Sequence, residues 1–144
     1  MKVQSAKSPE KVVITRNGNE ADISLLDSVV SENEITDDDG NVTKTYDYIV
    51  YKIKTSYRES LEKDIKENFG EWLEKAKNAE KEQLAAEVRE KRNKLLEATD
   101  KDVLPDRENA NGEAIIAYRK ALRDIPDQAK FPYIIKWPHK PQGV

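Results

Sequence analysis

From Arg58 to Ala98 the chain runs 41 residues without a proline and with a single glycine, Gly70. Apolar residues recur at Leu61, Ile65, Phe69, Trp72, Ala76, Ala79, Leu84, Val88 and Leu95, mostly at steps of three or four. That spacing puts them on one stripe of a helix. The other faces carry ten Lys or Arg and eleven Asp or Glu, a balanced and solvated surface. Unbroken, such a helix would be a rod of roughly 60 Å, which a compact domain of 144 residues does not cover. Either it kinks in the window Gly70–Asn78, or it packs against copies of itself. The stripe thins to alanine and glutamine between Ala76 and Ala86, where a break or a close helix crossing costs little. Phe69 and Trp72 are the large groups on it, and the spacing makes them the expected contacts of a self-associating coiled coil. The competing expectation is an ordinary core helix with solvated charges around it.

Composition narrows the classes. The chain is 37% charged and 37% hydrophobic, with two Phe, two Trp and six Tyr. Core formers are few, which favours an elongated molecule or one that buries surface on a partner. A formal net charge of −3 is not that of a general nucleic-acid binder, which carries a basic face. Cysteine is absent, so thiol and disulfide chemistry are excluded. No apolar run approaches the length of a bilayer-spanning helix, and MKVQSAKSPEK lacks the apolar core of a signal peptide. Charge is also uneven. Asn19 to Asp47 holds nine acidic residues and one basic, whereas Tyr118 to Val144 holds six basic and two acidic. Opposite ends of this kind can steer assembly between copies or with a polarised partner.

The front of the chain reads as strands. KVVIT (11–15) runs into Asn17-Gly18, a hairpin signal because both turn residues accept positive φ. ADISLLDSVV is ambiguous between strand and helix. Ser28–Ile35, the acidic turn DDDGN and Val42–Lys54 follow. In the last run Ile49, Tyr51 and Ile53 alternate with Tyr46, Tyr48 and Val50, so both faces are apolar or aromatic. The expectation is an antiparallel sheet of three or four strands over residues 11–54.

Motifs for catalysis or metal binding fail on inspection. With Gly40 at the sixth position of a calcium loop, Ile35 and Tyr46 fall where oxygen ligands are required; Asp37-Asp38-Asp39-Gly40 is a polar turn. His139 is the only histidine and has no Cys or His partner for zinc and no triad around it. No glycine-rich phosphate loop occurs. Asn41-Val42-Thr43 fits a glycosylation acceptor but lacks a secretory context. The expectation is a protein without cofactor, metal or catalytic residues, working by binding, assembly or structure.

The C-terminal stretch YRKALRDIPDQAKFPYIIKWPHKP (118–141) holds four of the six prolines and one of the two tryptophans. Asn111 is placed to cap a helix, with Glu113 favouring its positive end. Ile115, Tyr118, Leu122 and Ile125 share one face. Pro126 stops the helix. Beyond it, Phe131-Pro132, Ile134-Ile135 and Trp137-Pro138 form an extended ribbon whose prolines lower the entropy cost of docking. The ribbon either folds back on the helix before it or presents its anchors to a partner; both can hold.

Arg92-Asn93-Lys94-Leu95-Leu96, Thr99-Asp100, the block Tyr118–Ile125, Phe131-Pro132 and Trp137-Pro138 occur in that order. Residues 88–141 thereby resemble the C-terminal region of bacteriophage tail assembly chaperone-like proteins, often encoded near tail-fibre genes. Lys101 stands where that pattern has Trp after Thr-Asp. The resemblance implies exposed apolar anchors that hold an unassembled tail or tail-fibre protein. It makes Tyr118, Arg119, Leu122, Arg123, Phe131 and Trp137 the expected partner-binding residues, with Trp137 as the chief anchor. Arg119, Arg123 and Asp124 are candidates for ion pairs to the loop after Asp100 or to a partner.

The sequence therefore predicts an α+β chain. It has a small N-terminal antiparallel sheet (1–56), a long amphipathic helix (57–98), and a short helix with an extended Pro-rich tail (99–144). The expected role is a non-enzymatic tail or tail-fibre assembly factor in the host bacterial cytoplasm. It would be a homo-oligomer with a tail protein as partner and with neither nucleic acid nor membrane. A permanent part of the tail or baseplate is the alternative, and an acidic host-directed inhibitor a third reading.

Overall fold

The computed structural model of the chain describes residues 1–103 and 112–142. It divides into two compact units, Met1–Glu80 and Lys81–Val144. The fold is α+β: a small antiparallel four-stranded sheet, one long helix and shorter helices.

In the first unit the strands are β1 (Lys2–Ser5), β2 (Val12–Asn17), β3 (Glu20–Thr36) and β4 (Val42–Ser56), in the order β1-β4-β3-β2. All neighbours are antiparallel. The Asn17-Gly18 signal becomes the β2–β3 hairpin. Gly18 has φ +64°, a left-handed backbone that side chains with a Cβ resist. The acidic turn likewise closes β3 on β4. Gly40 has φ +84°, and the Asp37 carboxylate accepts from the backbone N–H of Asp39 and of Asn41. Those bonds, Asn41's first, hold the Asp37 carboxyl below its ordinary range.

Two features of the sheet depart from the expected strands. β1 lies ahead of residue 11, in a segment too short and polar to announce itself, and pairs Lys2–Ser5 with Tyr46–Ile49. The ambiguous ADISLLDSVV and the strand after it are one element, β3. Its register slips between Leu26 and Ser28 and again between Val29 and Ser31. Such bulges bend a strand and break its alternation, which is why the sequence reads as helix-like there. At the first slip, Asp27 forms an ion pair with Lys77, 2.9 Å away.

One face of the sheet is covered by helices. α1 (Leu61–Glu67) and the start of α2 (Phe69–Glu97) place Leu61, Ile65, Trp72 and Ala76 on Ala21, Ile23 and Leu25. Val12, Ile14, Tyr51, Ile53 and Phe69 pack around this core. The helical run divides at Asn68, two residues ahead of the window the sequence allowed. Asn68 has φ −118° and ψ 37°, and its amide donates to the Asp64 carboxylate at 2.7 Å. Asparagine competes for such local bonds and so favours helix ends. Arg58 also pairs with Asp64. The Asn68 amide, ahead of Arg58, lowers the pKa of Asp64.

Both large groups of the stripe are therefore inside this unit: Trp72 is 8% exposed and Phe69 is half-buried against the same cluster. Replacing Trp72 by Ala removes a ring from that core. Truncation of a buried aromatic costs about 3–5 kcal/mol, and the expected loss for Trp72→Ala is of that size. A urea melt followed by the circular dichroism of the sheet checks it; a loss below about 1 kcal/mol would place the ring outside the core.

Candidate functional site

The second unit begins within α2 and continues through a 3-10 turn, Asp100–Val103, to α3 (Gly112–Arg123) and a second 3-10 turn, Ile125–Asp127. Asn111, the expected cap of α3, lies outside the described residues. The spacing of Ile115, Tyr118, Leu122 and Ile125 has the expected consequence, since all four are buried. It also leaves Ile116 outside the stripe, 62% exposed. α3 ends at Arg123, ahead of Pro126.

Tyr118, Leu122 and Ile125 form the core of this unit, and Val88, Leu95 and Leu96 of α2 pack against them. From the tail come Phe131, Ile135 and Trp137. The tail is thus folded back. Two cations of α2 cover its rings: Arg89 lies 5.5 Å from the centroid of Phe131 and Lys91 lies 4.3 Å from that of Trp137. Such cation–π contacts favour a ring held flat against the helix. Pro132 is buried and follows a cis peptide bond.

Gln128 fixes the return of the tail. Its amide nitrogen donates to the Lys136 carbonyl and its amide oxygen accepts from the Lys136 N–H, each at 2.9 Å. Between these two residues, the N–H groups of Tyr133 and Ile134 both donate to the Lys130 carbonyl, at 2.9 and 3.0 Å. The segment is therefore a tight turn, and Tyr133 and Ile134 stand out from it, 60% and 58% exposed. Lys130 and Lys136 flank them and are exposed too.

Arg119 ties α3 to the end of α2. Its guanidinium donates to the Leu96 carbonyl at 2.7 Å and to the Thr99 hydroxyl at 2.8 Å. It also pairs with the Asp100 carboxylate at 2.9 Å. The Thr99 hydroxyl in turn donates to the Leu96 carbonyl at 2.9 Å. The last carbonyls of a helix lack intrahelical partners and carry the negative end of its dipole. A planar guanidinium satisfies a carbonyl, a hydroxyl and a carboxylate at once. Thr99 is fully buried under this arrangement.

Six residues were expected to bind a partner. Tyr118 and Leu122 lie in the core, Phe131 and Trp137 against it, Arg119 in the α2 cap, and Arg123 is exposed at the end of α3. The structure gathers four of the six around one cluster. The pieces in the chain order Leu95-Leu96, Thr99-Asp100, Tyr118–Ile125, Phe131-Pro132 and Trp137-Pro138 are the parts of one packed unit. Residues 85–142 match the family model of the phage tail assembly chaperone protein. The matched span lies wholly within the second unit. The first unit lies outside the match, and no curated protein and no solved structure matches the chain. The match covers less than half of the chain. No helix among the described residues is long and apolar enough to cross a membrane.

Sequence reasoning did not find Gln128, Tyr133 or Ile116. Only Ile116 had a signal: with Ile115 assigned to the stripe, its neighbour must face outward. The Gln128 clamp follows from the path of the tail, which no local pattern encodes.

Removing the Arg119 fork leaves a helix end, a buried hydroxyl and a carboxylate without their shared donor. A hydrogen bond to a charged group is worth about 1.5–3 kcal/mol, and Arg119→Ala is expected to cost at least that. Arg119→Lys should recover only part, since a single ammonium cannot reproduce the fork. Chemical denaturation of the three proteins checks the order wild type, Lys, Ala; a Lys variant as stable as wild type would contradict the fork's role.

Proposed function

We propose that the chain is a phage tail assembly factor that holds an unassembled tail or tail-fibre protein in the host cytoplasm, without catalysis. The client docks on the turn from Lys130 to Lys136. The observation that carries this reading is the contrast inside the family-matched unit. Its large anchors, Phe131 and Trp137, pack on its own helix, while Tyr133 and Ile134 beside them are held outward. Phe131 and Trp137 then act as the footing of the turn, and Tyr133 and Ile134 as the client contacts.

The chemistry suits a reversible holder. An apolar pair set between lysines covers a small exposed apolar area of a client, while the charges keep the free protein in solution. A turn already fixed by the Gln128 clamp loses little conformational freedom on docking. Arg123, exposed at the end of α3, adds a cation that a client carboxylate can meet.

Co-expression with each tail protein of the same phage or prophage, followed by affinity capture, tests the assignment. Tyr133→Ser with Ile134→Ser should lower capture of the client by about tenfold or more, the scale of truncated interface anchors, and leave the melting temperature nearly unchanged. Trp137→Ala removes a partly buried ring packed on the core of this unit and should instead destabilise the fold, by less than the roughly 3–5 kcal/mol of a fully buried aromatic. Capture that survives the double change sinks the assignment. So does a Trp137→Ala protein that melts like wild type yet no longer holds the client, which would return the anchor to Trp137.

A further inference from the structure

The β3–β4 hairpin outruns its sheet. β2 pairs only with Glu20–Leu25 of β3, and β1 only with Tyr46–Ile49 of β4. From Asn33 to Thr36 and from Val42 to Thr45 the two strands pair only with each other. Two-stranded ribbons are marginal on their own in water, yet this arm leaves apolar side chains exposed. Ile35 and Val42 on the arm are 60% and 58% exposed, and Val29 and Val30, just before it where β1 still flanks β4, are 51% and 52% exposed. None of them belongs to the core beneath the helices.

The arm is also acidic. Between Ser28 and Asp47 there are six carboxylates and one ammonium, Lys44, a net of 1 − 6 = −5. Lys44 is already engaged, 3.3 Å from Glu34 and 3.7 Å from Glu32. One ammonium does not neutralise two carboxylates, so Glu32 and Glu34 together keep a net negative charge. From Gly112 to Gln142 the balance is reversed, with six cations against Glu113, Asp124 and Asp127, a net of 6 − 3 = +3. The two surfaces complement each other: exposed apolar side chains set among carboxylates on the hairpin, and an apolar pair set between lysines on the turn.

We propose that the hairpin arm of one copy docks on the Lys130–Lys136 turn of a second copy. Val42 meets Tyr133 and Ile134, and Glu32 and Glu34, on the same face of the ribbon as Val42, face Lys130 and Lys136. This rests on the turn being a docking surface, as in the reading above, and it makes the arm a competitor of the client. Free copies cover each other's turn, and a client displaces the arm. The contact is heterologous, joining different patches of the two partners. Its charges are solvated at the rim, so it weakens with salt.

Sedimentation velocity of the purified full chain tests it, at low and high ionic strength and over a range of concentrations. Wild type should self-associate at low salt and dissociate at high salt. One variant carries Glu32→Lys and Glu34→Lys; the other carries Lys130→Glu and Lys136→Glu. Each alone should associate at least about tenfold more weakly, because like charges then meet across the contact. An equal mixture of the two should associate again, since every arm then faces a turn of opposite charge. Circular dichroism melts confirm that both variants fold. A wild type that stays monomeric throughout, variants that still associate alone, or a mixture that stays monomeric would each overturn the proposal. Capture of the tail protein by the Glu32→Lys, Glu34→Lys variant separates the two readings. If capture survives while self-association is lost, the arm acts on copies alone. If wild type self-associates but no tail protein is captured, the client reading fails and this one stands.

Discussion

The second unit depends on how the C-terminal end of a long helix is finished. A helix end exposes carbonyls and a partial negative charge. Here the end of α2 receives the guanidinium of Arg119, whose other donors go to Thr99 and Asp100. That single fork fixes the direction in which α3 leaves, and α3 provides Tyr118, Leu122 and Ile125 as the floor for the returning tail. The Gln128 clamp then turns the tail, and the turn holds Tyr133 and Ile134 outward. The proposed docking surface is thus the last link of a chain that begins with a capped helix.

α2 contributes side chains to two cores. Its first residues, Phe69, Trp72 and Ala76, pack on the sheet, and Val88, Leu95 and Leu96 pack on α3 and the tail. Between them the stripe narrows to small or polar residues, as at Ala85 and Gln83. A chain with few aromatic residues builds two small cores in this way without needing one large one. Small cores are marginal, and local polar fixings matter correspondingly more: Asn68 and Arg58 on Asp64, Lys77 on Asp27, Arg119 on Asp100.

Much of this was legible in the residues. The period of Leu61–Leu95 gave the helical run, Asn17-Gly18 and the DDDG turn gave the hairpins, and Ile115–Ile125 gave the buried face of α3. Those are local signals, in which the spacing or the turn chemistry acts within a few residues. What escaped is non-local or irregular. β1 owes its strand form to pairing with β4, forty-odd residues on, and the bulges of β3 mix two alternations. Asn68 competes with Gly70 for the helix break and wins because Asp64 lies one turn away to receive its amide. In the tail, proline and aromatic content announces an extended segment; which rings face inward is settled by Arg89, Lys91 and Gln128, residues that no motif connects to it.

The central claim is that the tail stays docked on its own helix while a client is held on the outer side of its turn. Hydrogen exchange of the full chain, free and with the captured tail protein bound, tests this most directly, because amide protection reports local opening. The expected result is added protection at Tyr133 and Ile134, with the Lys136 amide, held by Gln128, and the amides of α3 as protected as in the free protein. Loss of protection at Lys136 on binding would contradict the claim, since the tail would then have peeled from the helix to give Phe131 and Trp137 to the client.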